Sequence, residues 1–398
     1  MWAQLAPIGR DDSTGGYRRF AWTGQDAALR EWFTAQATAR GLDQHEDRAG
    51  NLWAWWGNPD HAASAGRPGV VLGSHLDSVP DGGAFDGPLG VVSAFAAVDT
   101  MRGKGITPDL PVGIACFSDE EGARFGVACA GSRLLTGALD PDRARTLTDA
   151  GGTTMAEALT RSGRNPDHLG PDDETLRRVG TFVELHVEQG RALVDRGAPV
   201  GVASSIWPHG RWRLDLTGRA DHAGTTRLED RNDPMLDLAA AVQEARAAAQ
   251  RHHGLATIGK VAVHPGGVNA IPSRVTAWLD ARGPREDDVR RVVDDVAGAA
   301  GTQAVEESWT SATTFDPALR DRIAGVLGGV PVLPTGAGHD AGVLAAAGVR
   351  SAMLFVRNPT GVSHSPAEHA DEADCLAGVD ALAAVLRELA ASSHGTRE

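Results

Sequence analysis

Gly73-Ser74-His75-Leu76-Asp77-Ser78-Val79-Pro80-Asp81-Gly82-Gly83-Ala84-Phe85-Asp86-Gly87-Pro88-Leu89-Gly90 carries the first strong structural signal of the chain. It follows Pro68-Gly69-Val70-Val71-Leu72, an apolar run rich in β-branched residues, and precedes Val91-Val92-Ser93-Ala94-Phe95-Ala96-Ala97-Val98, which has helical texture. A buried strand ending at His75, a glycine-rich loop and a helix opening just after Asp86 account for this order. In open α/β sheets, ligands sit outside the carboxyl ends of the strands. Residues two apart on a strand end point to the same side, so His75 can ligate a metal while Asp77 holds its other ring nitrogen. Asp86 returns to the same place from the loop with an oxygen ligand. Alone, the stretch reads equally well as a loop histidine among solvated aspartates, so the rest of the chain must decide.

Upstream, residues 24–41 space their apolar positions as an amphipathic helix does, and Asn51–Gly57 reads as a strand. Its three tryptophans, Trp53, Trp55 and Trp56, could form a ligand platform, but strand packing is the favoured reading. Downstream, Pro111–Phe117 and Gly180–Gly190 are two more buried strands with acidic or histidine residues at their ends, and 130–170 is helical in patches. Strands alternating with helices predict an α/β domain with a mainly parallel sheet. Near Pro208 the texture changes. Arg211–Gly218, Leu255–Val263 and Arg274–Ala281 alternate polar and apolar residues, and helices are predicted at 234–252 and 285–300, with a further strand near 302–309. Residues 209–316 are therefore expected to form an inserted α+β sandwich, a lid or dimerisation domain between catalytic segments 1–208 and 317–398. The last four residues, Gly395–Glu398, are expected to fray.

Composition narrows the function. With 38 basic against 52 acidic residues, a formal charge of −14 argues against nucleic-acid or anionic-membrane partners. Three cysteines, Cys116, Cys129 and Cys375, offer no disulfide framework or zinc-site spacing. They suit a reducing cytoplasm and leave any metal to histidines and carboxylates. Neither a secretory leader nor a membrane span is expected. Five places place a histidine or acid at or beyond the end of an apolar strand: His75, Asp86, Glu120/Glu121, His186 and His364. Each is weak evidence alone. Together they fit a thiolate-free hydrolytic site for Zn, Mn, Co or Ni. Adjacent Glu120 and Glu121 point different ways, so one can ligate while the other serves as a general base. Cys116 lies within an apolar strand and reads as an inert buried thiol.

The chain resembles the M20 metallopeptidase superfamily, in particular its amidase/hydantoinase/carbamoylase branch of N-carbamoyl-L-amino-acid hydrolases, β-ureidopropionases and allantoate amidohydrolases. The resemblance is carried by Gly73–Gly90, Ser118–Phe125, Glu184–Gly190, Ala220–Thr226, Val268–Pro272, Asp280–Arg282, Gly336–Ala341 and Gly361–Pro366. Glu184-Leu185-His186-Val187-Glu188-Gln189-Gly190 points to this branch rather than to aminoacylases and dipeptidases. The resemblance implies two divalent ions held by His75, Asp86, Glu121, His186 and His364, with Asp86 bridging and Asp77 orienting His75. It implies that Glu120 is the general base, and that His222 stabilises the oxyanion in the partner subunit of a homodimer. Gln189, Asn269, Arg282 and the Gly361 backbone would hold a small ureido or amide carboxylate, Arg282 taking its α-carboxylate. N-carbamoyl-L-amino acids are the leading substrates, allantoate the runner-up. One departure stands out: Arg227-Leu228-Glu229-Asp230 follows Thr225-Thr226 where the family commonly has Pro-Met, and Arg227 is expected to form a surface salt bridge.

Overall fold

The computed structural model describes residues 1–391, so the tail expected to fray lies outside the described residues. The chain divides into two compact units. The first comprises Met1–Ser204, Thr314–Leu333 and Gly338–Glu398; the second comprises Ser205–Thr313 and Pro334–Ala337. Sequence texture put the breaks at 208/209 and 316/317. The units part a few residues earlier, and Pro334–Ala337 joins the second unit. There Trp207 N donates to Thr335 O at 2.8 Å and Arg282 donates to Gly336 O at 2.8 Å.

The first unit is built on a nine-stranded mixed sheet. Its path runs Asp43–Glu46, Leu52–Trp56, Val112–Phe117, Gly69–His75, Val179–Val187, Arg350–Val356 and Val200–Ile206, with short strands beyond. The four central strands, Val112–Phe117 through Arg350–Val356, are parallel; their flanking neighbours run antiparallel. Every position of Gly69–His75 and of Val112–Phe117 is buried. That is why their sequences are continuous apolar runs without alternation. The helices Gly24–Ala39, Pro88–Gly103 and Glu372–Ala390 share one core with this sheet, centred on Phe33, Phe95, Leu72, Leu185, Leu354 and Leu386. Phe95 is fully buried, with Phe33 and Trp32 set edge-on at 5.2 and 6.1 Å. A side chain of this kind contributes about 1.5–3 kcal/mol on burial. Trp53 and Trp55 are buried, and Trp53 Nε1 donates to Asp47 at 2.9 Å; they are core, not a platform.

The second unit is a four-stranded antiparallel sheet in the order Ala304–Thr310, His209–Thr217, Arg274–Arg282, Leu255–His264. Trp212, Leu214 and Leu216 face inward with Val275, Ala277, Leu279 and Ala281. They pack on the helices Pro234–Arg251 and Glu286–Ala299 through residues such as Leu238, Ala245, Val289 and Val296. Leu255–His264 is an edge strand, largely exposed. Among the described residues no helix is long and apolar enough to cross a membrane.

Candidate metal centre

The central sheet sets two imidazoles side by side. Gly69–His75 and Val179–Val187 are parallel, hydrogen-bonded neighbours, with His75 last in one and His186 last but one in the other. Their ring centroids are 5.9 Å apart. Asp86, on the loop before the Pro88–Gly103 helix, places Oδ1 3.1 Å from His186 Nε2 and 3.5 Å from His75 Nε2. Its Oδ2 lies 3.5 Å from His364 Nε2, which in turn lies 3.5 Å from Glu121 Oε2. Two ligand groups result, His75/Asp86/His186 and Asp86/Glu121/His364, and Asp86 belongs to both. Two strands and three loops thus converge on one carboxylate.

Asp77 ties the loops together. Its Oδ1 and Oδ2 accept the N–H groups of Glu120 and Glu121 at 3.1 and 3.0 Å. Its Oδ1 lies 3.4 Å from His75 Nδ1, and its own carbonyl lies 3.2 Å from the same nitrogen. Glu120 turns away from Glu121: its Oε2 is 3.8 Å from His75 Nε2, and its Oε1 accepts the Cys129 thiol at 3.3 Å. Gln189 Nε2 donates to Asp86 Oδ2 at 2.8 Å. The Nε2 atoms of His75 and His186 are buried and, although Asp86 Oδ1 faces both, neither makes a well-aligned hydrogen bond among the described residues. Buried polar atoms rarely stay unpaired, and two imidazole nitrogens facing a shared carboxylate are the donor set that divalent ions take.

A model of peptidase family M20/M25/M40 matches residues 71–388, a span containing every one of these side chains. The chain belongs to this family. Its full-length relatives place it in the amidase/hydantoinase/carbamoylase branch of that family, as an amidohydrolase acting on a carbon–nitrogen bond. It is 36% identical over 411 aligned residues to an N-carbamoyl-L-amino acid amidohydrolase of Geobacillus stearothermophilus, with 98% of each chain covered. It is 29% identical to the allantoate amidohydrolase of Escherichia coli K12, covering 95% of this chain and 94% of that one. The crystal structure of a hydantoinase/carbamoylase family amidase from Burkholderia vietnamiensis superimposes with a TM-score of 0.86 at 29% identity, over 98% of this chain and 96% of that one.

Charge in this M20 centre is set by partners as much as by burial. Burial opposes a charged His186, yet Asp86 holds its pKa up, to about 9. Burial likewise opposes charge on His75, but Glu120, Asp77 and Asp86 keep it well above the ordinary value. Asp86 stays well below the usual carboxylate range despite burial, because His186 and His75 face it. Glu121 is pushed up to about 8 by burial and by Asp86, and burial raises Glu120 well above its usual value. The protein groups are short of positive charge, which divalent cations supply. Cys116 is buried and its thiol pushed up to about 12, chiefly by burial, as expected of an inert residue.

Several neighbours went unassigned in the sequence. His339, just before the Asp340–Ala346 helix, is buried with its ring 4.5 Å from that of His186, and neither of its nitrogens has a hydrogen-bond partner. Burial, then His186, holds it well below its ordinary pKa, which favours the neutral ring. It forms a third group with Glu184 and His186. The two Glu184 oxygens, however, accept the Ser74 hydroxyl at 2.8 Å and Ala341 N at 3.0 Å. Both His339 and Glu184 lie in segments that carry the family resemblance, Gly336–Ala341 and Glu184–Gly190, without a role having been assigned to either.

The residues expected to touch substrate divide between the units. Gln189 and Gly361 belong to the first; the Gly361 N–H is engaged by Asn358 Oδ1 at 2.9 Å, so its carbonyl is the group left to offer. His222, Asn269 and Arg282 belong to the second. The Arg282 fork already donates to both Asp280 oxygens, at 2.6 and 2.7 Å. His222 and Asn269 are exposed, and Ala223 N donates to Asn269 O at 3.0 Å. Arg227 is exposed and forms no ion pair among the described residues, contrary to expectation. It precedes the 3₁₀ turn Leu228–Asp230, and Arg231 braces the segment by donating to Ala223 O at 2.6 Å.

Gly87 gives a direct test of the geometry. Its φ of 80° is left-handed, and a Cβ there would overlap the His75 imidazole. Gly87→Ala should cost about 1–3 kcal/mol of stability through backbone strain and lower metal affinity about 10–100-fold by displacing His75. Thermal melting and equilibrium dialysis would measure the two effects; an unchanged affinity would contradict the placement of His75.

Proposed function

We propose that this amidohydrolase hydrolyses N-carbamoyl-L-amino acids, one water converting the ureido group to free amine, carbon dioxide and ammonia. The observation that carries the reading is the sharing of Asp86 between two ligand groups. A ureido carbon is a poor electrophile because two nitrogens feed its carbonyl. Divalent ions, two per subunit and zinc by preference, held by His75, Asp86 and His186 and by Asp86, Glu121 and His364, would polarise that carbonyl and acidify a water. Glu120 takes the water's proton on its carboxylate and later delivers it to the leaving nitrogen. His222 Nδ1 accepts the Gly224 N–H at 3.0 Å, which leaves the ring proton on Nε2 as a donor for the developing oxyanion. Arg282 receives the substrate α-carboxylate in competition with Asp280, while Gln189, Asn269 and the Gly361 carbonyl fix the remainder. The whole-length likeness to an N-carbamoyl-L-amino acid amidohydrolase supports this substrate class. Allantoate is the second reading, supported by the Escherichia coli relative; an aminoacylase or dipeptidase activity is a third. The free cysteines fit a cytoplasmic enzyme.

Ammonia release from a panel of N-carbamoyl-L-amino acids, their D-enantiomers and allantoate tests the substrate. At least one N-carbamoyl-L-amino acid should exceed allantoate in kcat/KM by roughly tenfold or more; the reverse order would move the assignment to allantoate.

We further propose that the chain is a homodimer in which His222 serves its partner's site. The exposed Leu255–His264 edge is an unpaired ladder suited to burial against a second copy. Mixing inactive Glu120→Gln and His222→Ala chains should then restore activity, since each mixed dimer keeps one complete site. Random exchange of a two-fold dimer predicts about a quarter of wild-type turnover. A mixture as inactive as its components would place His222 elsewhere.

A further inference from the structure

We propose that Glu368 is a positioning residue that locks together the loops carrying Asp86 and His364, and so builds the Asp86/Glu121/His364 seat in particular. The inference rests on the two-seat reading above. Glu368 is 5% exposed and lies four residues beyond His364. Its Oε1 accepts two consecutive backbone N–H groups from the other loop, Phe85 at 2.9 Å and Asp86 at 3.0 Å. Its Oε2 lies 3.3 Å from the Ser363 hydroxyl, which is also 3.3 Å from Asp86 Oδ2. With one proton, that hydroxyl donates to one carboxylate at a time. The packing is close enough that a Cβ on Gly83 would overlap the Glu368 side chain. Glu368 N donates to Ser365 O at 3.0 Å, folding the His364 loop back on itself. His364 has a left-handed φ of 54°, a conformation that needs such surroundings to persist.

The two seats differ in what holds them. His75 and His186 belong to strands of the central sheet, so the first seat depends on Glu368 only through the shared Asp86. Glu121 and His364 stand on loops. In that seat the backbone of the Asp86 loop is tied to the His364 loop through Glu368 and Ser363, while Gln189 Nε2 touches the two ligand side chains, 2.8 Å from Asp86 Oδ2 and 3.4 Å from His364 Nε2. A carboxylate that fixes backbone on one loop and a hydroxyl on the other restricts the distance between the two ligands, as outer partners of metal ligands do.

Equilibrium dialysis of the full chain against Zn²⁺ alone, with bound zinc counted per chain, reads both seats. Wild type should take up two ions. Glu368→Ala should weaken the second about tenfold or more, resembling His364→Ala, and the first, which shares Asp86 but has its two imidazoles on strands, by clearly less. Glu368→Gln retains an oxygen for the Phe85 and Asp86 N–H groups and should recover most of the loss. Two ions on Glu368→Ala at wild-type affinity, or equal weakening of both, would overturn the proposal. If Glu368→Ala does not fold by circular dichroism, Ser363→Ala carries the test; a weakened second ion is expected and an unchanged one overturns the proposal. A wild-type chain that binds a single zinc ion would overturn the two-seat reading itself.

Discussion

Glu120→Gln should lower turnover by roughly a thousandfold, while zinc content by elemental analysis stays at the wild-type level. The substitution keeps the size of the side chain and an Oε1 that can accept the Cys129 thiol. What it removes is the ability to take a proton. Glu120 belongs to neither ligand group built on Asp86, so metal content should not respond. Its carboxylate lies 3.8 Å from His75 Nε2, close enough to the ligands to reach a water among them. Turnover within about tenfold of wild type would exclude Glu120 as the base, and loss of zinc would recast it as a ligand.

Removing the metal should have an effect of similar size. A chelator is expected to abolish ammonia release, and zinc or another divalent ion should restore it. The stripped chain should also melt at lower temperature. An ion present at about a hundred times its dissociation constant contributes about 2.7 kcal/mol to the folded state. The pH dependence has a definite sign. Coordination needs neutral imidazole, whereas the Asp86 partnership keeps His186 protonated up to about pH 9 against the cost of burial, and His75 shifts in the same direction. Below that pH each binding event must expel protons. Affinity should therefore rise with pH, by up to about tenfold per unit for each proton released, and level off near pH 9. Calorimetry in buffers of differing ionisation enthalpy counts those protons; an affinity independent of pH between 6 and 8 would show that no imidazole ligand gives up a proton on binding.

The sheet was legible because burial on both faces writes an unmistakable pattern. Gly69–His75, Val112–Phe117, Val179–Val187 and Arg350–Val356 are each built on an apolar run, and acidic or histidine residues at or beyond the ends of the first three announced the site. Val200–Ile206, the neighbour of Arg350–Val356, went unread because its small residues Gly201, Ala203, Ser204 and Ser205 give neither alternation nor a β-branched run. The unit boundaries slipped for a related reason. Pro334–Ala337 is held to the second unit by hydrogen bonds between distant positions, which local texture does not carry. Acids and histidines on strand ends were visible as candidates. Asp77 was visible as the partner of His75, but its reach to the amides of Glu120 and Glu121, and that of Glu368 to those of Phe85 and Asp86, run across the fold and were not. Arg282 shows the opposite case, its Asp280 partner being two residues away on the same strand face and readable in advance.

His75 and His186 become neighbours only once Gly69–His75 and Val179–Val187 lie side by side, and those segments are remote in sequence. Pairings of that kind close late and slowly during folding. Capacity to capture zinc should therefore lag behind the growth of helical signal when denatured chain is diluted into buffer. The cation becomes a clock for assembly of the scaffold, ticking only when the slowest part of the topology is in place.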